Sequence, residues 1–390
     1  MEKQRYLTEH IIQDLQDKMV FLGGARQVGK TTLAQKLITQ KYPNFKYFNW
    51  DRRDDRKQIL NTTYPADTDL LIFDEIHKYK GWKTLIKGEY DTYKDRYKFI
   101  VTGSARLNIY RKGGDSLQGR YHYYTLHPFS LAEITGAKST YTPFSELSFS
   151  DAINKTEFEA LDTFGGFPEV LIKQNARFLR RWHNERNERL FREDIRDLEN
   201  VRDVRTMQLL SDLLQQKVGS LLSINSLRED LAVSHRAVKS WLDILESFYY
   251  HFRIYPFHAQ EIRSLKKEPK IYLFDWSEVE NEPARFENLI ASHLLKFVHF
   301  LKENQGYKAE LNFLRNVDKK EVDFLISINK KPWFCVEAKL NESNISPALF
   351  YFKERLNIPF CFQVIKTPGI DLLKKEIRLI SADKFLSALI

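Results

Sequence analysis

A glycine-rich turn between two apolar segments is the feature that most constrains the fold of this chain. Residues 19–22 (MVFL) predict a buried strand, and residues 33–40 have the apolar spacing of a helix. The turn between them fits the pattern Gly-x4-Gly-Lys-Ser/Thr at Gly24, Gly29, Lys30 and Thr31. A strand, such a turn and a helix in this order are typical of a loop that surrounds phosphate groups with backbone N–H groups. The arrangement predicts an α/β fold with a parallel, helix-covered sheet.

Each residue type in this turn has a physical role in binding a nucleotide. The glycines allow the backbone to fold around the phosphates, and Lys30 is predicted to neutralise the β- and γ-phosphates of ATP. We expect the hydroxyl group of Thr31 to bind the Mg²⁺ that accompanies ATP. The predicted nucleotide-binding residues are Gly24, Ala25, Arg26, Gln27, Val28, Gly29, Lys30, Thr31 and Thr32.

A second apolar segment ends in two acids. The residues DLLIF are followed directly by Asp74 and Glu75. We predict that Asp74 holds Mg²⁺ through water and that Glu75 orients and polarises the water that attacks the γ-phosphate. Acids at strand ends are common by themselves, but after a phosphate-binding loop this pair indicates hydrolysis of ATP.

A third strand and an arginine supply the remaining candidates for catalysis. The segment KFIVTGSARL predicts a buried strand that ends near Thr102 and Ser104, and either hydroxyl group could sense the γ-phosphate. Arg120 lies just before a predicted strand at residues 121–126. It forms either a surface salt bridge or an arginine finger that reaches the nucleotide of a neighbouring subunit. The finger would imply a homo-oligomer.

Length, charge and cysteine content bound the remaining possibilities. A chain of 390 residues exceeds one typical core, and we predict domains at residues 1–135, 136–262 and 263–390. The net charge of +9 permits contact with nucleic acid but does not require it, because 61 basic and 52 acidic residues are well mixed. Two cysteines cannot form a disulfide framework. The sequence shows no apolar run of membrane-spanning length and no signal-peptide pattern, so we expect a cytoplasmic protein without a membrane partner.

The predicted middle domain contains a possible DNA-reading helix. A helix, a tight turn at residues 233–234 and a second helix beginning at His235 are followed by the aromatic run FYYHFRIYPF, which looks like a β-wing. His235, Arg236 and Lys239 are predicted on the outer face of the second helix. A winged helix of this kind either contacts DNA or packs against protein, and the sequence leaves both interpretations open.

The segment EVDFLISINKKPWFCVEAK, residues 321–339, predicts two strands joined by a polar turn. Asp323 lies in the first strand, and Glu337 and Lys339 close the second. Metal-dependent nucleases place two carboxylates and a lysine in this way. Hairpins without a metal do so too, because these residue types are common at strand ends.

The order of the motifs resembles one family of proteins. The segments GARQVGKTTL, LLIFDEIHK, FIVTGSARL, SLQGR and LHPFSLAEI are similar to AAA+-type P-loop ATPases of bacteria and archaea that carry a C-terminal domain of unknown function. The similarity continues through GGFPE, PKIYLFD and FENLIASHLL, so it covers nearly the whole chain. It implies a winged-helix segment and then an α/β unit that resembles the PD-(D/E)xK restriction-endonuclease fold.

The resemblance also implies a second metal site. In that fold a glutamate on a helix, here Glu287, helps to fix the site, and Asp323 and Glu337 bind a second Mg²⁺ or Mn²⁺. Lys339 would stabilise or help to deprotonate the attacking water. Whether this domain cleaves DNA is not decided by the sequence.

Two functions follow from these patterns. The first is Mg²⁺-dependent ATP binding and hydrolysis that drives or gates a DNA-associated activity of the C-terminal nuclease-like domain. The alternative is an ATP-dependent switch or scaffold protein. In that case the winged-helix domain and a catalytically inactive nuclease-like domain bind protein partners.

Overall fold

The computed structural model describes residues 3–103, 107, 117–137, 141–195, 203–257, 268–341 and 344–390. They divide into two compact units. The first unit extends to His127 and includes Ser247–Tyr249, and the second contains Pro128–Glu246 and Tyr250–Ile390. The three domains predicted from the sequence stay predictions.

The first unit is built on one sheet. Its strands are β1 (Met19–Gly24), β2 (Phe45–Asn49), β3 (Leu70–Asp74), β4 (Lys98–Thr102) and β5 (Tyr121–Leu126). They are parallel and lie in the spatial order β2-β3-β4-β1-β5. Every residue of β1 and β3 is buried, as expected for parallel strands with both faces covered. The predicted parallel α/β sheet is confirmed for this unit.

Helices connect and cover these strands. They are α1 (Thr8–Asp14), α2 (three consecutive pieces, Lys30–Thr32, Leu33–Leu37 and Ile38–Gln40), α3 (Arg53–Leu60) and α4 (Trp82–Tyr93). In α4, Trp82, Ile86 and Tyr90 recur at helical spacing and are buried in the core of the unit. Phe73 and Phe99 stack on neighbouring strands in the same core. Apolar side chains thus form the core around the sheet, and polar side chains such as Asp74 and Thr102 lie where the strands end.

The second unit begins with a helical part. Its helices are α5 (Leu131–Thr135), α6 (Lys155–Phe164), α7 (Pro168–Lys173), α8 (Ala176–Arg189, continued by a π-helical turn Leu190–Ile195), α9 (Val204–Gln216), α10 (Ile224–Asp230) and α11 (His235–Ser247). Ser130 and Glu133 form a capping box at the start of α5, and Gly136 ends this helix with a φ of 71°. In α11, Val238, Trp241 and Leu245 are buried, so one apolar face of this helix packs against the protein interior.

An eight-stranded mixed sheet completes the second unit. Its strands are β6 (His251–Pro256), β7 (Lys270–Leu273), β8 (Ala309–Arg315), β9 (Glu321–Ile328), β10 (Lys331–Lys339), β11 (Phe360–Ile365), β12 (Asp371–Lys374) and β13 (Ile377–Ser381). Their spatial order is β12-β13-β11-β10-β9-β8-β6-β7. The predicted hairpin is the antiparallel pair of β9 and β10. The aromatic run predicted as a wing supplies β6, which pairs with both β7 and β8.

Three further helices flank this sheet, namely α12 (Glu282–Glu303), α13 (Pro347–Leu356) and α14 (Ala382–Ser387). Thirteen of the 22 residues of α12 are buried, so protein surrounds most of this helix. Asn288, His293 and Lys296 are among the buried residues and therefore need polar partners inside the unit. Among the helices of the described ranges, none is long and apolar enough to cross a membrane.

Candidate functional site

The glycine-rich turn lies at the carboxyl end of β1. Gly24 has a φ of 143°, and a Cβ atom at this position would lie 2.5 Å from the carbonyl oxygen of Leu126 on β5. Gly29 has a φ of 101° directly before α2. Both positions require glycine, because other residues rarely adopt these angles and Gly24 has no space for a side chain.

The lysine of the turn is held inside the loop. Lys30 is buried, and its ammonium group donates hydrogen bonds to the carbonyl oxygens of Gly24 (2.9 Å) and Ala25 (2.8 Å). Ala25 and Val28 are buried as well, whereas Thr31 and Thr32 are exposed. Arg26 and Gln27 are partly buried, and Gln27 has a φ of 62°. The predicted nucleotide-binding residues therefore form the end of β1, the glycine-rich turn and the first turn of α2, and the ammonium group of Lys30 lies against the carbonyl oxygens of the turn.

Asp74 connects four elements at the end of the sheet. One of its carboxylate oxygens accepts a hydrogen bond from the Thr102 hydroxyl group at 2.5 Å. The other accepts hydrogen bonds from Tyr47 at 2.7 Å and from Thr31 at 3.3 Å. β2, β3 and β4 are parallel neighbours, so their ends meet at one edge, and α2 starts there too. The structure thus brings Thr31, Asp74 and Thr102 together. Ser104 lies outside the described residues.

Glu75 follows in a strained backbone conformation. Its φ of 58° is left-handed, which costs a non-glycine residue on the order of 1–3 kcal/mol and is found most often at functional sites. Its backbone N–H donates to the carbonyl oxygen of Thr102 at 3.1 Å. One carboxylate oxygen lies 3.5 Å from Nε2 of His77 and 3.9 Å from Nζ of Lys78. The Glu75 carboxylate therefore lies beside His77 and Lys78, directly after Asp74 in the chain.

Arg120 has a partner within its own unit. Its guanidinium group forms two hydrogen bonds, of 2.7 and 3.0 Å, to the Asp91 carboxylate on α4. Both side chains are partly exposed. Arg120 thus forms a salt bridge in this structure, and its role as an arginine finger stays a prediction.

Two further residues of this site were not expected from the sequence. Tyr47 is one of them, and burial together with the Asp74 carboxylate raises the pKa of its hydroxyl group. The other is Arg5, which is buried and donates to the carbonyl oxygens of Val28, at 3.0 Å, and of His127. Arg5 therefore links the phosphate-binding loop, through Val28, to the segment that follows β5. Neither residue belongs to a recognisable motif, because each acts through contacts distant in sequence.

The residues predicted to contact DNA lie on α11. His235, Arg236 and Lys239 are all exposed, whereas Val238 and Leu242 of the same helix are buried. Their exposure allows contact with a partner, and DNA contact stays a prediction.

Glu287, Asp323 and Glu337, which are predicted for a second metal site, meet in a partly buried acidic cluster of the second unit. We use this name for Glu287 on α12, Glu321 and Asp323 on β9, and Glu337 on β10. The Asp323 carboxylate accepts from the backbone N–H of Ala338 at 3.0 Å, and Glu337 accepts from the backbone N–H of Asp323 at 3.4 Å. The adjacent strands of the hairpin thus hold these two acids side by side.

Cations and one hydroxyl group from the protein surround this cluster. Lys339 lies 3.1 Å from Glu337. Tyr272 on β7 donates to Glu287 at 2.6 Å, and Nζ of Lys270, also on β7, lies within 3.3 Å of Glu287 and Asp323. Lys270 and Tyr272 were not expected from the sequence. Their signal was a lysine and a tyrosine two positions apart in the otherwise apolar strand KIYLF.

Burial and mutual repulsion perturb these acids. Burial, reinforced by the charge of Asp323, raises the pKa of Glu287 to about 7 and that of Glu337 to about 8. Burial also opposes the charge on Lys270, but the surrounding carboxylates outweigh it and raise the pKa of this lysine. Lys270 is therefore an ammonium ion inside the cluster, where the resemblance implies a metal ion. The residues present do not fit a metal ion while Lys270 occupies this position.

A separate group of ligand-type side chains lies elsewhere in the second unit. His183, Asp275 and Glu278 have ligand atoms within 4.8 Å of one another. The guanidinium group of Arg186 donates to Asp275 at 3.3 Å and to Glu278 at 3.1 Å. Arg186 thus already pairs with both buried carboxylates, and the group joins α8 to the turn after β7.

Family models match the chain in three pieces. A model described as an AAA domain matches residues 16–135. Two models described as domains of unknown function, DUF8612 and DUF4143, match residues 155–278 and 284–378.

Two relatives match most of the chain at low sequence identity. Two uncharacterized proteins of Methanocaldococcus jannaschii, MJ1544 and MJ1637, are each 24% identical to this chain. The first match covers 85% of this chain and 77% of the relative, and the second covers 67% of this chain and 61% of the relative.

Two solved structures show a weak likeness to this chain. A variant of Thermotoga maritima RuvB covers 63% of this chain and 87% of its own, at 16% identity and a TM-score of 0.31. The Saccharomyces cerevisiae Hsp104–ADP complex covers 62% of this chain and 38% of its own, at 15% identity and a TM-score of 0.30. Because both TM-scores are low, the assignment rests on the family match and on the first unit's sheet and loop. Residues 16–135 are an AAA-type P-loop ATPase domain, which two domains of unknown function follow in the chain.

Proposed function

We propose that the chain is a Mg²⁺-dependent ATPase whose reaction is carried out by Lys30, Thr31, Asp74 and Glu75. The observation that carries this proposal is the position of Asp74. Its carboxylate is fixed by Tyr47 and Thr102 and lies 3.3 Å from the hydroxyl group of Thr31, the residue that follows the lysine of the loop. Lys30, Thr31 and Asp74 therefore stand at one edge of the sheet.

The donor set at this edge suits Mg²⁺. The Thr31 hydroxyl group and the Asp74 carboxylate are hard oxygen ligands, which this ion prefers. Bound there with ATP, Mg²⁺ would neutralise charge on the phosphates. Thr31 is exposed, so a nucleotide has access to its hydroxyl group.

The chain's own residues then have distinct tasks. Lys30 would exchange the carbonyl oxygens of Gly24 and Ala25 for phosphate oxygens, which carry more negative charge. Glu75 would accept a hydrogen bond from the attacking water and orient it toward the γ-phosphate. Thr102 acts by positioning Asp74, because its hydroxyl group donates to that carboxylate.

Two substitutions test these roles. Lys30→Ala should abolish ATP binding in a fluorescent-nucleotide titration, since the loop loses its positive charge. Glu75→Gln should still bind ATP but release phosphate about 100-fold more slowly or worse, a typical loss for a general base. Lys57→Ala, an exposed lysine on α3, is the matched control and should behave like the wild type. Wild-type turnover in either of the first two variants would refute the assignment.

For the output, we propose that ATP turnover drives or gates a DNA-associated activity of the second unit. Support comes from the exposed side chains of Arg236 and Lys239 on α11. The test is cleavage and binding of labelled single- and double-stranded DNA, with Mg²⁺ or Mn²⁺ and with or without ATP. Cleavage that is lost in both Asp323→Asn and Lys339→Ala would establish a nuclease.

A second candidate is an ATP-dependent switch whose nuclease-like part binds protein and does not cleave. The position of Lys270 inside the acidic cluster favours this function, because an ammonium group there replaces the metal ion that cleavage needs. Absent cleavage and absent binding to DNA at low salt, where phosphate contacts are strongest, would support the switch.

A further inference from the structure

Lys270 is a buried lysine in a strand that is otherwise apolar. It is 2% exposed and is the first residue of β7, which pairs with β6. Because side chains alternate along a strand, Lys270 and Tyr272 point to the same side, and both reach Glu287 on α12. A charged side chain is almost never buried so completely without ionic partners.

The ammonium group of Lys270 uses all of its donors on carboxylates. Nζ lies 2.7 Å from Glu321, 3.2 Å from Asp323 and 3.3 Å from Glu287. An ammonium group has three N–H donors, and here three acids from two elements surround it. These are hydrogen-bond distances, longer than the roughly 2.0–2.6 Å that Mg²⁺ and Ca²⁺ keep from oxygen ligands.

Glu321 and Glu337 have further cationic partners in the protein. Arg315 pairs with Glu321, and Lys339 lies 3.1 Å from Glu337. Among the residues that the structure describes, four carboxylates face three cations when all groups are ionised, which leaves one negative charge in excess. Removal of the ammonium group of Lys270 would leave two negative charges in excess and would open space beside Glu287 and Asp323. Such a site matches a divalent cation in charge and in its oxygen ligands.

We propose that Lys270 is the resident cation of the acidic cluster, so that Glu287 and Asp323 hold its ammonium group and not a divalent metal ion. The chain as it stands is then metal-free at this site, although the acids themselves are arranged for a metal. A single substitution at Lys270 converts the cluster into a divalent-cation site. The proposal is independent of ATP hydrolysis, since it concerns only the second unit.

Binding of Mn²⁺ without nucleotide tests this inference. Free Mn²⁺ is measured by electron paramagnetic resonance at pH 8 with the full-length wild type, Lys270→Met and Lys270→Met/Asp323→Asn. Methionine is unbranched like the lysine stem but ends one atom short of Nζ, so it removes the charge and leaves the position of the ammonium group open. Lys270→Met should bind one Mn²⁺ per chain more than the wild type, and the double variant should lose it. Lys270→Arg, which keeps the charge, should bind no more Mn²⁺ than the wild type.

Two results would overturn the proposal. One is Mn²⁺ binding by the wild type that disappears in Asp323→Asn, and the other is no gain of Mn²⁺ in folded Lys270→Met. If circular dichroism shows that Lys270→Met is unfolded, the test is chemical methylation of lysines in the wild type, measured at Lys270 with and without Mn²⁺. Lys270 should then resist modification equally with and without Mn²⁺, whereas modification promoted by Mn²⁺ would show that the metal displaces it.

Discussion

Replacement of His293 by glutamine should remove part of the acid sensitivity of the second unit. His293 lies on α12, and its ring donates from Nδ1 to the carbonyl oxygen of Leu289 at 2.8 Å. Nε2 accepts from the backbone N–H of Leu131 at 3.1 Å. This bond requires an unprotonated Nε2, so the folded state holds the ring neutral. A glutamine carbonyl oxygen can accept the same hydrogen bond without titrating.

The size of the effect follows from the pKa of this ring. Burial is the main cause that lowers the pKa of His293 from 6.5 to about 3 in the folded protein, and the charge of Lys296 adds to it. Above pH 6.5 both folded and unfolded states are neutral, and no free energy is lost. As the pH falls below 6.5, only the unfolded state takes up the proton, and stability is lost progressively down to about pH 3. At pH 5 the loss amounts to about 2 kcal/mol.

Urea unfolding of the wild type and of His293→Gln at pH 7 and pH 5 measures this loss. The contributions of all other titrating groups are the same in both proteins, so they cancel in the comparison. Between these two pH values, the unfolding free energy of His293→Gln should fall by about 2 kcal/mol less than that of the wild type. His235→Gln, at an exposed position on α11, is the control and should follow the wild type. Equal losses in wild type and His293→Gln would refute the reasoning, as would an NMR titration of His293 with a midpoint near 6.5.

Two other substitutions probe single charged groups. If Arg120 serves a neighbouring subunit, Arg120→Ala and Glu75→Gln should each be inactive alone, yet an equimolar mixture should recover part of the ATPase activity; no recovery at any ratio would contradict a role in trans. Lys296→Met should destabilise the second unit by about 3–5 kcal/mol in urea unfolding, because it leaves the buried Glu133 carboxylate without its cation. The double variant Lys296→Met/Glu133→Leu should recover most of that stability, and a loss as large as that of the single variant would argue against the pair.

The ATPase half of the fold was largely readable from the sequence because its information is local. A strand, the glycine turn and Lys30 lie within a dozen residues, and the Asp74-Glu75 pair stands at the end of an apolar segment. Tyr47 could not be found in this way. It joins the site only because β2 lies beside β3 and brings its hydroxyl group to Asp74.

The second unit was harder to predict because its contacts connect distant segments. The aromatic run around β6 has the pattern of any half-buried strand, and nothing local shows that it pairs with β8. Lys270 likewise reads as one charge in an apolar strand. Its role depends on the packing of β7 against α12, which places its ammonium group among Glu287, Glu321 and Asp323.

Three buried cations share one physical role in the second unit. Arg186 binds acids beyond β7, Lys270 binds acids on α12 and β9, and Lys296 binds Glu133 at the start of α5. Buried ion pairs add little net stability, because desolvation cancels much of their attraction. A mispacked arrangement is different, since it leaves a buried charge unpaired at a cost of several kcal/mol. We therefore expect these pairs to select one packing of α5, α8, α12 and the sheet, while apolar burial supplies the stability of that packing.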